Sequence, residues 1–290
     1  MMSPCGQSRH WPLSRIIHDM SSAEVRAVIF DVGNCLWFAA NPPPDADVFE
    51  IQAGALQPLF ERWHIALPRP LASIVADVWA ALLEGYAAGE ERRTYREPSL
   101  PFLWRGALAS DGIKVTPGQA EEIWRTGWIP VRHFGYQLYP DVIDVLAELK
   151  ARGFRIGLCT NRPCTEDMLW PDLEEYGLAQ FLDAATCSGD TGFFKPHAAP
   201  FERALAQLDV APDAALMVGD SAEADVHGAR AVGMRAAWKL NGRYGLPGCD
   251  AADATVHDLN ELLDLPMLGG RGTMVIASPT PHDDANEDRY

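Results

Sequence analysis

Four short stretches carry the residues that can do chemistry. The first is AVIFDVGNCLW, where an apolar run from Ala27 ends on Asp31 and breaks into Gly33-Asn34. The second is FRIGLCT, residues 154–160, followed by Asn161. The third is Lys195-Pro196, and the fourth is AALMVGD, ending on Asp220, with Asp225 in the GDSAEAD that follows. Each residue has a plain structural use. Asp31 and Asp220 can form turns, Thr160-Asn161 can cap a helix, and Lys195 can be a solvated surface charge. Brought to one edge, they do something else. Three carboxylates in one place repel unless a cation lies between them. Asp31 and Asp220, with backbone carbonyl and water ligands, suit Mg²⁺. Lys195 and Thr160 add positive charge and a donor, and loop N–H groups after Asp31 add more. That is a site for a phosphoryl group, with donors around its oxygens and a metal beside the nucleophile.

The elements that would bring these residues together are legible. VRAVIFD, FRIGLCT, LDAATCS and AALMVGD are near-continuous apolar runs, which is how strands covered on both faces read. MRAAWKL and ATVH add two more candidates. Helical patterns lie between them, such as DVIDVLAELKARG and APFERALAQLDV. The alternation predicts an α/β fold, a doubly wound, mostly parallel, Rossmann-like sheet whose chemistry collects at the strands' carboxyl ends.

Roughly a hundred residues separate the first strand from the second, far more than a crossover needs. The insertion opens at the Pro-rich NPPPDADVFE and reads as helices. The expected organisation is an N-terminal extension (1–24), a core (25–40 and 137–265), an inserted α-helical cap domain (41–136) and a disordered acidic tail (266–290).

The four motifs IFDVGNCL, LCTN, KP and VGDSAEAD, in this order, resemble those of the haloacid dehalogenase superfamily, over roughly residues 25 to 260. The insertion resembles that family's helical cap of the first type. The DVGN opening is similar to that of a subgroup containing glucose-1-phosphate phosphatases. The resemblance implies a nucleophile at Asp31 that forms an aspartyl-phosphate. It implies Mg²⁺ held by Asp31, Asp220 and the Gly33 carbonyl, with Asp225 in the outer shell. It also implies Thr160 and Lys195 on the phosphoryl group, with Asn34 and Asn161 in the substrate-binding loops.

Position 33 departs from the pattern. Most phosphatases of this family carry a second Asp there as general acid and base, worth about 10²–10⁴-fold. Gly33 cannot donate a proton. Asp225, Glu223, His197, His133 or a cap residue brought in on closure are candidates to replace it. Otherwise the leaving group needs less help, the reaction is a dehalogenation of a small haloacid, or the scaffold is a non-catalytic interaction protein. Retention of Gly219-Asp220 and Asp225 favours the phosphatase.

In the cap, Trp63, Trp79, Trp104, Trp124 and Trp128 lie at helical spacings that read mostly as core. Arg92, Arg93 and Arg96, with Tyr95, cluster in ERRTYREP as candidates for substrate recognition. Trp37 and Phe38 are candidates for the site mouth. Aromatic and polar residues over a phosphate site suggest a small phosphate ester, sugar or sugar-like.

The net charge of −16 over 290 residues disfavours nucleic-acid binding, which needs phosphate neutralisation by Lys and Arg. No run of about 18 uninterrupted apolar residues suggests a membrane span. The six scattered cysteines lack a CxxC pair, which argues against zinc and suits a reducing cytoplasm.

Overall fold

The computed structural model describes residues 24–241 and 249–270. Eight strands are present among them: β1 (Ala27–Phe30), β2 (Trp37–Ala39), β3 (Tyr136–Leu138), β4 (Arg155–Thr160), β5 (Ala184–Cys187), β6 (Ala215–Gly219), β7 (Arg235–Lys239) and β8 (Ala254–Val256). Six of them form one sheet in the order β5-β4-β1-β6-β7-β8. Every pairing in that sheet is parallel. All six strands expected from the apolar runs are therefore present, in a doubly wound arrangement.

β1 lies at the centre, and its register explains the continuous apolar run. Val28 and Phe30 pack on one face with Val145, Leu149 and Leu169. Ala27 and Ile29 pack on the other with Phe201, Ala204 and Leu208. A strand covered on both faces has no solvent side on which to place polar residues. Each such fully buried Val, Ile or Phe side chain contributes about 1.5–3 kcal/mol.

From β1 the chain proceeds to β4 and β5 on one side, then to β6, β7 and β8 on the other. The direction of winding reverses beside β1, which opens a crevice at the carboxyl ends of β1, β4 and β6. Asp31, Thr160 and Asp220 stand at those three ends.

The insertion forms four helices: α1 (Asp45–Arg62), α2 (Leu71–Glu91), α3 (Leu100–Ser110) and α4 (Pro117–Thr126). They bury a hydrophobic cluster of their own, including Leu56, Phe60, Ile74, Leu108 and Ile123. α4 starts with a reciprocal cap in which the Thr116 and Gln119 side chains each bond the other's backbone N–H. α2 is long and apolar enough to cross a membrane by length and composition alone, which corrects the expectation that no segment is. Its apolar face, with Ile74, Val75 and Val78, is used inside the helical cluster instead.

β2 and β3 pair antiparallel, with Trp37 opposite Leu138 and Ala39 opposite Tyr136. This short ribbon ties the two ends of the insertion together and was not legible in the sequence. Three-residue strands are too short to show a period.

The expected tail boundary is corrected. Pro266–Leu268 forms a 3₁₀ turn, and Leu268 is buried in the core. The remainder of that tail, from 271, and nearly all of the expected N-terminal extension lie outside the described residues.

Candidate active site

Lys195 organises the floor of the crevice. Its ammonium donates to Asp31 Oδ1 at 2.8 Å, to Asp225 Oδ1 at 2.6 Å and to the Cys159 carbonyl at 2.7 Å. The side chain is 1 % exposed. Burial alone would discharge it, but the charges of Asp225 and Asp31 outweigh burial and push its pKa above the usual lysine range. Asn161 fixes the backbone beneath it. Its Oδ1 accepts from Lys195 N–H at 2.7 Å, and its Nδ2 donates to the Lys195 carbonyl at 3.1 Å. The Asn161 amide thus positions Lys195, and Asn161 also lines the cavity above this floor.

Asp225 sits on a π-helical turn, Ala222–His227, directly after β6. Wider turns of this kind gather at functional sites because they re-aim a side chain. Its second oxygen accepts from Ser221 N–H at 3.0 Å. Burial raises the Asp225 pKa first, with Lys195 opposing and Asp31 adding to the rise. Gly219 makes room for it, since a Cβ there would stand 2.1 Å from Asp225 Oδ2. Trp238 Nε1 bonds the Asp220 carbonyl at 2.9 Å and holds the preceding turn. Asp31 continues the β ladder through its N–H to the Val218 carbonyl at 2.8 Å.

Carboxylate oxygens of Asp31, Asp220 and Asp225 lie within 4.8 Å of one another. One ammonium faces three carboxylates, so the floor carries excess negative charge. An all-oxygen, carboxylate-rich donor set fits Mg²⁺ rather than a soft metal. Asp31 and Asp220 would hold it directly. Asp225, with both oxygens engaged, fits an outer position. Among the described residues, Cys35, Cys159, Cys164 and Cys187 are buried free thiols.

A cavity of about 400 Å³ rises from this floor, touching Asp31, Gly33, Thr160, Lys195, Asp220 and Asp225. Its opposite wall comes from the helical insertion. Trp79, Trp104, Trp124 and Trp128 line it, with Phe134 and Tyr136 beside the ribbon. The expectation that most of the cap tryptophans are core holds for Trp104, a buried member of the cap cluster, and for Trp63 and Trp79, packed against that cluster, although Trp79 and Trp104 line the cavity as well. Helical spacing does not distinguish an inward face turned to neighbours from one turned to a cavity. Trp63 is absent from the lining. Trp37 is fully buried against Tyr136 and Tyr176, and Phe38 stacks on Tyr139, so neither forms the mouth.

The arginine cluster also lies elsewhere. Arg92 and Arg93 are exposed, and Arg96 stacks over Phe193 at 5.4 Å; none lines the cavity. ERRTYREP instead clips the insertion to the loop before Lys195. Glu97 N–H bonds the Gly192 carbonyl at 2.9 Å, and Phe194 N–H bonds the Tyr95 carbonyl at 2.8 Å. Tyr86 and Tyr95 pack edge-on against Phe194. Asn34 is exposed at φ 51°, with its carbonyl taken by Asn241, and does not line the cavity either.

The sequence reading missed Arg162. It lines the cavity two residues beyond Thr160, its guanidinium over Trp37 at 5.1 Å and Tyr136 at 5.7 Å. Its place beside Thr160-Asn161 was the available signal. Of the candidates for the missing acid, Glu223, His197 and His133 lie off the cavity. His197 Nδ1 accepts from Ala199 N–H, and its ring stacks on Phe193. Only Asp225 reaches the cavity, and its oxygens are occupied by Lys195 and Ser221.

Residues 25–233 match the family described as haloacid dehalogenase-like hydrolase. A phosphoserine phosphatase from Thermus thermophilus is 38% identical over 127 residues, 44% of this chain and 50% of that protein. A glyceraldehyde 3-phosphate phosphatase from Methanocaldococcus jannaschii is 30% identical over 165 residues, 55% of this chain and 72% of its own length. The match thus spans half of the first relative. Among solved structures, a 2-haloacid dehalogenase from Pseudomonas syringae pv. Tomato is 25% identical, with a TM-score of 0.57 over 84% of this chain and 97% of that one.

Proposed function

This chain belongs to the haloacid dehalogenase-like hydrolase family, and from that premise we propose that it is a Mg²⁺-dependent phosphatase of a small phosphate monoester. The observation that carries the reading is the floor itself: a buried Lys195 tied to Asp31, beside three clustered carboxylates.

Lys195 holds Asp31 by Oδ1, which leaves Oδ2 as the attacking atom. Oδ2 forms a bond to phosphorus as the bond from phosphorus to the ester oxygen breaks. The leaving oxygen takes its proton from water. Thr160 donates to the phosphoryl group, and the Lys195 charge beside Asp31 offsets the negative charge while it redistributes. Water then attacks the aspartyl-phosphate, releasing phosphate and restoring the Asp31 carboxylate. Mg²⁺, when bound by Asp31, Asp220 and the Gly33 carbonyl, supplies charge neutralisation between carboxylates and phosphate.

The Thermus and Methanocaldococcus relatives, named as phosphatases of small phosphate esters, support this class of substrate. The dehalogenase reading draws on Gly33 and on the Pseudomonas structure. It leaves the carboxylate cluster without a use, since displacement of halide by Asp31 needs no cation there. A sugar-like ester rested on the DVGN opening, on the aromatic residues over the site, four of whose tryptophans line the cavity, and on the polar arginine cluster. The cluster's place outside the cavity removes the last of these grounds.

Phosphate release from a panel of esters, with and without EDTA, tests the proposal. Release abolished by EDTA and by Asp31→Asn supports it. EDTA-insensitive halide release from haloacids would establish the dehalogenase, and neither activity in folded protein would establish a non-catalytic scaffold.

A further inference from the structure

The wall facing the phosphate floor is aromatic, and several of its polar atoms are already used. Trp79 Nε1 donates to Gln52 Oε1 at 2.8 Å, and Gln52 Nε2 donates to the Gly127 carbonyl at 2.8 Å. Trp124 Nε1 donates to the Pro163 carbonyl at 3.0 Å. Gln52 is the one carboxamide on that wall among the described residues, and both its ends are engaged. Between these groups lie Val78, Leu100 and Ile129. Trp128 Nε1 is buried with no hydrogen-bond partner among the described residues. With it, Arg162 at the floor side is a further donor to the cavity, yet a polyol seated against the cap would need several donors and acceptors there.

A sugar ring stacks on tryptophan, but its hydroxyls must also find partners. Buried without them, each is destabilising. A flat, apolar ring has no such requirement and gains from edge and face contacts with the surrounding indoles.

The floor points the same way independently. Beyond Asp31, the nucleophile, and Asp220, placed to hold the cation, the engaged Asp225 is the one acid lining the cavity among the described residues, and position 33 offers no proton. A phenol, with a pKa near that of tyrosine at about 10, is a far more acidic leaving group than an alcohol. It departs as phenolate when Asp31 Oδ2 bonds to phosphorus and the phosphorus–oxygen bond breaks, and water then protonates it.

We infer that the substrate is an aryl phosphate monoester, its ring seated between the cap tryptophans and its phosphate on the Lys195 floor. This rests on the phosphatase reading above, and the two are separable by experiment.

Isothermal titration of the full chain with Mg²⁺ compares three phosphonates that cannot be hydrolysed: phenyl, methyl and 2,3-dihydroxypropyl. Phenylphosphonate is expected to bind at least about tenfold more tightly than either of the others. Trp124→Leu is expected to remove that margin without weakening methylphosphonate. Phe134→Leu serves the same purpose if loss of the Trp124 bond to Pro163 unfolds the chain. Equal affinities, or tighter binding of the dihydroxypropyl compound, would overturn the inference. Phenyl preference with no phosphate released from any ester would sustain the aryl cavity and defeat the phosphatase. Phosphate released from glucose 6-phosphate, with no preference among the phosphonates, would do the reverse.

Discussion

Lys195 and Gly33 define the site at the scale of single residues. Lys195 is an ammonium held by two carboxylates and a carbonyl in a place that excludes water. Removing one partner of such a buried pair leaves an uncompensated charge, a cost of about 3–5 kcal/mol. Lys195→Met is therefore expected to lower unfolding free energy by about that amount in urea titration, and to abolish phosphate release. Unchanged stability would mean that Asp225 is not ionised beside it. Gly33 is the opposite case. Its φ is not in the left-handed region, and a Cβ would meet nothing closer than Asp31 Oδ2 at 3.9 Å. The backbone does not require glycine there. Gly33→Asp is expected to speed hydrolysis of alkyl phosphates by about 10²-fold or more, while aryl phosphates change little. A rise for neither class would show that proton delivery to the leaving group does not limit this enzyme. Asp31, Thr160, Lys195 and Asp220 were legible because each stands at or just past an apolar run. The cavity-lining tryptophans were not, because what turns them to the cavity is the packing of distant helices.

At the scale of elements, the clip between Tyr95–Glu97 and the Lys195 loop links cap to catalytic floor. Glu97 is its buried acid. Its N–H bonds Gly192, its Oε1 accepts from the Tyr86 hydroxyl, and Oε2 has no partner among the described residues. Burial raises its pKa, while the neighbouring hydroxyls of Ser188 and Tyr86 oppose the rise. A carboxyl whose folded pKa exceeds its unfolded value, about 4.3 for glutamate, binds more protons folded than unfolded. Its contribution is full below the unfolded pKa and is lost as pH rises through the folded one. Glu97→Gln keeps the acceptor for Tyr86 and removes the titration. The variant is expected to lose less stability than the wild type as pH rises from about 4 towards neutrality, measured by denaturant midpoints across that range. Parallel losses in the two proteins would contradict a raised Glu97. The arginines of ERRTYREP were misassigned for a physical reason. A local excess of positive charge in an acidic chain looks like an anion site, yet the same residues close a helix and stack on Phe193. The six-stranded sheet was read strand for strand, since continuous apolar runs bounded by Asp and Asn have few other uses. The ribbon of β2 and β3 was too short to read.

At the scale of the molecule, a sheet centred on β1 and a helical insertion tied at its base by β2 and β3 face each other across one cavity. The chain carries −16 net charge, so an anionic ester is drawn in only by local cations at the floor. Lys195 and Arg162 supply them, joined by Mg²⁺ in the proposed phosphatase. All parts of the account meet at one atom, Asp31 Oδ2, and the phosphoryl group it would carry. The direct measurement is a rapid acid quench during turnover of a phosphoryl-labelled ester, followed by digestion and peptide mass analysis. The account predicts label on the peptide containing Asp31 in the presence of Mg²⁺, and none in Asp31→Asn or after EDTA. Phosphate release that continues in Asp31→Asn, with no peptide labelled, would contradict it.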